Sequence, residues 1–362
     1  MSDCLIIGGG IIGMLTALEL TDAGVRVTLL EKGRTGTESS WAGGGIISPL
    51  YPWRYAEPVT ALASWSQTCY PQLAERLFDE GGIDPEYTRS GLLILDVEET
   101  EQAAAWAQRH HVPLHTVAPE DLPQIEPRLA PQPGANVWMP EVAQIRNPRL
   151  VKALRAALEG RVTFEEGCEI RELIVEGGRV TGARSATRRF TAPATLVCAG
   201  AWSRHLLGSL PNPLDIAPVC GQMLLFRARA GQVTRIVLKH DRYVIPRRDG
   251  RVLVGSTLEH TDFRKETTQK ALGELHNHAL AMFPTLADCP VEKQWAGLRP
   301  GSPGGIPYIA PHRQFEGLFI NAGHFRNGVV LGPASARLAA DLVLQRHPIL
   351  DPSPYALSAP RQ

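Results

Sequence analysis

The 362-residue sequence has no excess of charge of either sign, because 37 lysines and arginines balance 37 aspartates and glutamates. This balance argues against a nucleic-acid-binding protein, which usually carries a basic excess. It still allows a local basic pocket for a small anion. The sequence also lacks any uninterrupted apolar stretch that approaches the roughly 18 residues of a membrane-spanning helix. We therefore expect neither a nucleic-acid partner nor a membrane anchor.

Cysteines are few and scattered: there are six, and no two form a C-x-x-C pair. Several lie in apolar runs, as Cys198 does in LVCAG, which favours a buried, reduced thiol. Histidines cluster only in HH (110–111) and HNH (276–278), in polar stretches without cysteine or carboxylate partners at useful spacing. Such clusters are more typical of solvated helix faces than of metal ligands. The sequence therefore predicts no metal site.

The first residues, MSDCLII, lack the basic segment and the long apolar segment that are typical of a signal peptide. We therefore expect a cytoplasmic protein. A chain of this length is too long for one typical core, which predicts two domains or one large interleaved fold. The tail PSPYALSAPRQ (352–362) is expected to fray.

The strongest pattern lies in the first 31 residues. The apolar run 4–7 predicts a buried parallel strand, and G-x-G-x-x-G follows it before a stretch of helical periodicity. VRVTLLE then predicts a second strand that ends at Glu31. This combination is typical of dinucleotide binding: Gly8 permits the turn, Gly10 lets the backbone approach a pyrophosphate, and Gly13 lets helix and strand pack closely. Glu31 can accept hydrogen bonds from ribose hydroxyls, which disfavours a 2′-phosphorylated cofactor.

Three later glycine-rich segments are candidates for further contacts between backbone and ligand. Glycine allows close approach and leaves N–H groups available as donors. The segments are TESSWAGGGI (37–46), ATLVCAGAWS (194–203) and GHFRNGVVLGP (323–333). By itself, the first is equally typical of a mobile surface loop. The third precedes a helical periodicity, so a helix beginning near Gly328 could direct its N-terminus at a negatively charged group.

Together with WAGLRPGSPGGIPYI, the motifs IIGGGIIG, SSWAGGG, VCAGAWS and GHFRNGVVLGP resemble the D-amino-acid oxidase superfamily of FAD-dependent amine oxidases. The resemblance is closest to the glycine oxidases of thiamine biosynthesis and covers essentially the whole chain. It implies an α/β fold with a Rossmann-like FAD-binding domain, formed by residues 1–82, 140–214 and 300–362. This domain would be interleaved with an antiparallel-sheet α+β substrate-binding domain, formed by residues 83–139 and 215–299.

The resemblance also implies a non-covalent FAD. In the related sarcosine oxidases a cysteine after the arginine corresponding to Arg299 holds the flavin, whereas RPGSPGGIPYI contains no cysteine. Gly45 stands where some glycine oxidases have a larger residue. The implied FAD contacts are Gly8, Gly10, Ile11, Ile12 and Gly13 in the first turn, Glu31 and Lys32 at the ribose, Ser39, Ser40, Gly43, Gly44 and Gly45 at the diphosphate and ring, Ile170 at the adenine, and Gly323, His324, Phe325, Arg326, Asn327, Gly328, Val329 and Val330 beneath the isoalloxazine.

Three residues are candidates for the substrate site. The ring of Tyr243, in a predicted strand, can stack on a small substrate and its hydroxyl can bond a carboxylate, although strand aromatics are also typical of cores. The planar fork of Arg299 suits a bidentate bond to an α-carboxylate. From the residues alone a structural salt bridge explains Arg299 equally well; the resemblance makes it the carboxylate anchor. The resemblance places Arg326 near the flavin, where it would help to bind the substrate or its carbonyl product.

The implied activity is oxidation of glycine, sarcosine, D-alanine and D-proline by hydride transfer from Cα to flavin N5. The imine would hydrolyse to a 2-oxo acid and ammonia or an amine, and oxygen would be reduced to hydrogen peroxide. The glycine oxidases supply dehydroglycine for thiazole synthesis, which implies a link to thiazole synthase, and they are usually homotetramers. Two alternatives remain: a D-amino-acid or sarcosine-type dehydrogenase that uses another electron acceptor, and a flavin-binding subunit without turnover.

Overall fold

The computed structural model describes residues 2–208, 210 and 214–361. Its helices are α1 (Ile11–Asp22), α2 (Ser39–Ala42), α3 (Glu57–Gly81), α4 (Thr100–His110), α5 (Leu122–Ile125), α6 (Asn147–Ala157), α7 (Ser203–Leu207), α8 (Gln269–Met282) and α9 (Gly332–Val343). Its strands are β1 (Cys4–Ile7), β2 (Val27–Leu30), β3 (Thr88–Arg89), β4 (Leu92–Leu95), β5 (His115–Val117), β6 (Asn136–Met139), β7 (Ala143–Gln144), β8 (Val162–Glu165), β9 (Ile170–Glu176), β10 (Arg179–Ser185), β11 (Arg189–Thr191), β12 (Ala194–Val197), β13 (Ala217–Phe226), β14 (Ile236–Lys239), β15 (Arg242–Pro246), β16 (Val252–Gly255), β17 (Glu259–His260), β18 (Val291–Gly301), β19 (Tyr308–Pro311) and β20 (Leu318–Ala322).

The first large sheet has the strand order β19-β20-β12-β1-β2-β8, and all its pairs are parallel except β19 with β20. Both faces of β1 are buried, which explains its continuous apolar run. Cys4 and Ile6 face a core built with helices α1, α3, α6 and α9. Leu5 and Ile7 face the opposite core, against the small antiparallel sheet β9-β10-β11. The two strands that the sequence predicts at the N-terminus are therefore confirmed.

The second large sheet has the order β17-β13-β16-β15-β14-β4-β6-β5, and β18 also pairs with β13. Its pairs are antiparallel except β4 with β14. In β4, Leu92 and Ile94 face one core, and Leu93 and Leu95 face the other, which helix α8 covers. A parallel sheet combined with a second, mainly antiparallel sheet confirms the predicted α/β fold class.

The strands of the first sheet come from three separate stretches of chain, and the second sheet is built from the stretches between them. Strand β18 continues to Gly301, just past the expected boundary at residue 299. The domain ranges themselves stay a proposal, and their residues 1, 209, 211–213 and 362 lie outside the described residues. Among the described helices, none is both long and apolar enough to cross a membrane.

The tail does not fray in its described part, so that expectation is wrong for residues 352–361. Only 1% of Tyr355 is exposed, and its hydroxyl donates to the Pro58 carbonyl at 2.8 Å. The guanidinium of Arg361 lies 3.6 Å from the ring centroid of Tyr308. One buried aromatic and one stacked arginine are enough to anchor a segment whose composition resembles that of a loop.

Helix α1 lies very close to the turn that follows β1. A Cβ atom at Gly13 would overlap the carbonyl oxygen of Gly8. The helix can therefore take this position only when residue 13 has no side chain, and its first turn, from Ile11, then points at the end of the strand. Close packing here fixes where the helix N-terminus is directed.

We expect Gly13→Ala to lower the free energy of unfolding of the apoprotein by about 1–3 kcal/mol, because the added methyl must displace backbone. Urea unfolding measures the change. Gly273→Ala is the matched control, since Gly273 lies in helix α8 with open space around the position of a Cβ. That control should be neutral or stabilise by up to about 1 kcal/mol. Equal effects of the two substitutions would contradict the packing argument.

Candidate active site

A cleft opens where the carboxyl ends of β1 and β2 face strands β15 and β18 of the second sheet. Ligands of open α/β sheets bind at this end of the strands. Gly13 and Gly323 do not line the cleft: Gly13 packs beneath the first turn, and Gly323 packs against Ser302 and Tyr308. The other predicted residues line it, namely Gly8, Gly10, Ile11, Ile12, Glu31, Lys32, Ser39, Ser40, Gly43, Gly44, Gly45, Ile170, Tyr243, Arg299, His324, Phe325, Arg326, Asn327, Gly328, Val329 and Val330.

Glu31 lies at the end of β2 and connects two turns of the cleft. One carboxylate oxygen accepts from the Gly9 amide and the other from the Gly33 amide, each at 2.8 Å. A carboxylate oxygen has more than one acceptor position, so these bonds leave capacity for hydroxyl donors from a ligand. At the start of helix α1, the Ile11 amide donates to the Ser40 hydroxyl at 2.9 Å. The segment that contains Ser40 therefore meets the glycine-rich turn after β1 at the N-terminus of helix α1.

Lys32 contacts an aromatic cluster that the sequence analysis did not identify. Its ammonium lies 3.1 Å from the ring centroid of Trp202, and Trp202 stacks on Phe263 with centroids 5.4 Å apart. Burial lowers the pKa of Lys32. Trp202 belongs to the predicted segment 194–203 and lines the cleft, so its position was indicated, but its cation–π partner was not.

The glycines at 43–45 fill a space that has no room for side chains. Gly45 adopts a φ of 78°, and a Cβ there would overlap the Ile145 carbonyl oxygen. A Cβ at Gly44 would lie 3.0 Å from the Tyr243 ring and 3.1 Å from Ile245 Cδ1. Of the two interpretations of this segment, the geometry supports close backbone approach rather than a surface loop.

Helix α9 begins at Gly332 and not near Gly328, so the predicted helix start is wrong. Residues 325–327 form a short 3₁₀ turn, and irregular turns connect it to the helix. Within the part of the chain that the structure describes, the amides of Val329 and Val330 have no hydrogen-bond acceptor. Two free donors at the cleft are therefore supplied by a turn rather than by a helix end.

Arg299 lines the cleft and is held there by neutral acceptors. It donates to the Ser256 hydroxyl at 2.7 Å and to the carbonyls of Cys220 and Thr257, each at 3.3 Å. In residues 2–208, 210 and 214–361 no carboxylate forms an ion pair with it. Burial lowers its pKa, and the nearby charge of Arg326 lowers it further. The alternative of a structural salt bridge therefore has no support in the described residues.

Tyr243 and Arg326 complete the same wall of the cleft. Only 7% of Tyr243 is exposed, and its hydroxyl lies 3.5 Å from the sulfur of Met223. Arg326 lies 3.5 Å from the Asp241 carboxylate, whose side chain is 77% exposed. An ion pair with such an exposed partner is weak. Both arginines can therefore bind an anion that enters the cleft.

Four buried polar atoms that have no partner within the described residues belong to side chains that line this cleft: Asn147 Oδ1, Asn321 Oδ1, His324 Nε2 and Asn327 Nδ2. Most buried polar atoms in proteins are hydrogen-bonded, so these four offer hydrogen-bonding positions to a ligand with several donors and acceptors. FAD has that chemistry, and the residues present fit it. Asn147 and Asn321 were not predicted from the sequence, because an asparagine that reaches the cleft from a distant part of the chain has no local pattern.

No group of three or more histidine, cysteine, aspartate or glutamate side chains among the described residues is arranged to hold a metal ion.

The chain belongs to the FAD dependent oxidoreductase family (DAO), whose model matches residues 3–342. The protein is therefore an enzyme, an FAD-dependent oxidoreductase, and its cofactor is FAD. It is 49% identical to the glycine oxidase of Pseudomonas aeruginosa over 97% of each chain. It superposes on the crystal structure of glycine oxidase from Geobacillus kaustophilus with a TM-score of 0.91 and 28% identity, covering 100% of this chain and 99% of that one. The resemblance to the glycine oxidases is thus confirmed.

A longer protein shares the same segment. The bifunctional protein ThiO/ThiG of Synechocystis is 31% identical over 95% of this chain, which corresponds to 52% of that protein. The matched part of that protein is therefore about half of its length.

Burial lowers the pKa of His324 to about 3, so the folded protein keeps this imidazole neutral. The unfolded chain binds a proton below its ordinary pKa of about 6.5, so stability is lost as the pH falls below that value. The free energy of unfolding of the apoprotein should fall between pH 6.5 and 5.5, and His324→Gln should make this fall smaller by about 1 kcal/mol. Urea unfolding at the two pH values measures it, with the exposed His347→Gln as control. The same pH dependence in His324→Gln and in the unsubstituted protein would contradict this assignment.

Proposed function

We propose that this oxidoreductase oxidises glycine and other small amines and D-amino acids, including sarcosine, D-alanine and D-proline. The observation that carries the proposal is the guanidinium of Arg299, which lies in the cleft beside Tyr243 and has no carboxylate partner among the described residues. A half-buried guanidinium with this geometry suits one carboxylate in a bidentate pair. The similarity to a glycine oxidase at 49% identity supports a small α-amino acid as the donor of that carboxylate.

In this proposal the side chains bind and orient the substrate. Arg299 holds the carboxylate while Ser256 fixes the guanidinium from behind. Tyr243 packs over the small substrate and closes the pocket above Gly44. Arg326 exchanges its exposed partner Asp241 for the substrate or its carbonyl product. Positioning of this kind can supply a large part of a rate enhancement without a general base.

The proposed cofactor contacts follow the cleft from the first turn to the segment before α9. When bound, FAD would supply the hydride acceptor, with oxygen as the final electron acceptor. Glu31 and Lys32 hold the ribose end, Ser39, Ser40 and residues 43–45 hold the middle, and the backbone of Ile170 borders the adenine. The Val329 and Val330 amides stabilise the negative charge that arrives with the hydride. The absence of a cysteine in RPGSPGGIPYI supports non-covalent binding.

The substrate loses two electrons and two protons and becomes an imine, which water converts to a 2-oxo acid and ammonia or an amine. Oxygen takes up the two electrons and two protons and becomes hydrogen peroxide. We propose that the product from glycine, dehydroglycine, supplies thiazole synthesis, in functional association with a thiazole synthase. The joining of a similar chain to a second part in ThiO/ThiG supports that link. A cytoplasmic homotetramer is part of the same proposal.

The purified yellow protein should release peroxide in air with glycine, sarcosine, D-alanine or D-proline, and each should bleach the flavin without oxygen. A peroxide-coupled assay and anaerobic absorbance spectra measure the two effects. Bleaching without peroxide would show that the protein is a dehydrogenase with another electron acceptor and not an oxidase. Neither signal with any of the four compounds would contradict the substrate proposal while leaving FAD binding unaffected.

Arg299→Ala should lower kcat/KM for glycine about a hundredfold or more, because it removes a desolvated partner of the carboxylate. The protein should still bind FAD and stay yellow. Steady-state kinetics with the flavin content of each preparation measure both effects. Arg26→Ala is the control, since Arg26 pairs with Asp3 on the surface. Unchanged activity of Arg299→Ala would exclude Arg299 as the carboxylate anchor.

A further inference from the structure

Arg247 is a buried cation to which neither the sequence patterns nor the proposed reaction gives a role. Only 9% of it is exposed, and no carboxylate in the described part of the chain forms an ion pair with it. Burial lowers its pKa to about 10, so it remains charged at neutral pH. A buried charge without an ionic partner is costly and requires several good hydrogen bonds.

The guanidinium of Arg247 connects the glycine segment of the cleft wall to a second segment, residues 144–145. One terminal nitrogen donates to the Gly44 carbonyl at 2.6 Å. The other donates to Gln144 Oε1 at 2.8 Å and to the Ile145 carbonyl at 3.2 Å. The Ile145 amide in turn donates to the Gly45 carbonyl at 2.8 Å. The planar fork therefore bridges the glycine segment and the chain on which it rests.

The same stretch of chain also provides the side chain over the substrate pocket. Tyr243 and Ile245 lie in β15, and Arg247 follows at the next position of the two-residue alternation. The first two surround the position where Gly44 would carry a Cβ, at 3.0 and 3.1 Å, and the third holds the Gly44 carbonyl. Three alternate residues thus hold one peptide of the cofactor cleft.

We propose that Arg247 is a positioning residue of the FAD site: it fixes the Gly44 peptide and, with it, the packing of Tyr243 against that peptide. The proposal rests on FAD binding, which the family shows, and not on the identity of the substrate. It requires both arms of the guanidinium, because one arm holds Gly44 and the other holds the supporting segment. A lysine has one compact ammonium on a flexible chain and cannot reproduce this bridge.

The test is the dissociation constant of FAD from the apoprotein, followed by quenching of flavin fluorescence. Arg247→Met should raise the Kd about tenfold or more, because three acceptors lose a charged donor. Arg247→Lys should give an intermediate Kd. At saturating FAD, the visible circular dichroism of the bound flavin should change in both variants, since it reports the surroundings of the ring rather than overall stability.

Arg248→Met is the matched control. Arg248 is the next residue and also an arginine, but it bonds Asp84, Thr88 and the Tyr87 carbonyl, away from the cleft. The Arg248→Met variant should keep the Kd for FAD and the flavin spectrum of the unsubstituted protein. An unchanged Kd and spectrum in both Arg247 variants, or an equal loss in Arg248→Met, would overturn the proposal. If neither Arg247 variant folds, Gln144→Leu removes one acceptor of the bridge: a Kd raised severalfold supports the proposal, and an unchanged Kd overturns it.

Discussion

The absence of space at residue 13 is the constraint on which the cofactor half of the protein depends. Helix α1 can approach β1 only because Gly13 has no side chain to collide with the Gly8 carbonyl. This approach directs the first amides of the helix at the end of the strand, where Ser40 already caps Ile11. The N-terminus of α1 therefore faces the cleft, where it can meet a diphosphate.

The opposite wall of the cleft comes from the second sheet and differs in its charge. Arg299 on this wall and Arg326, in the turn that follows β20 of the first sheet, bring two cations to the cleft, and within the described residues only the exposed Asp241 forms an ion pair with either. The cofactor side provides backbone amides and buried asparagine oxygens, Asn147 Oδ1 and Asn321 Oδ1, that have no hydrogen-bond partner within the described residues. The two cations, together with these neutral donors and acceptors, explain how one cleft can hold a cofactor and select a small anionic substrate beside it.

Local patterns predicted much of this arrangement, and distant contacts account for the remainder. The glycine spacing, the continuous apolar run of β1 and the acid at the end of β2 are all visible in consecutive residues. Asn147, Trp202 and Arg247 act through contacts with residues far away in sequence, which no periodicity records. Helix α9 was expected too early because the apolar residues before Gly332 continue its pattern while their backbone forms turns. Buried Tyr355 likewise anchors a tail whose composition resembles that of a loop.

We propose that Arg299 forms a carboxylate site next to the flavin. Titration of the FAD-loaded enzyme with acetate, which has no amine to oxidise, tests it directly through the visible absorbance of the flavin. We expect a saturable spectral change in the unsubstituted enzyme and its loss in Arg299→Ala, while Arg26→Ala behaves as the unsubstituted enzyme does. Acetate binding of equal affinity in Arg299→Ala would contradict the claim.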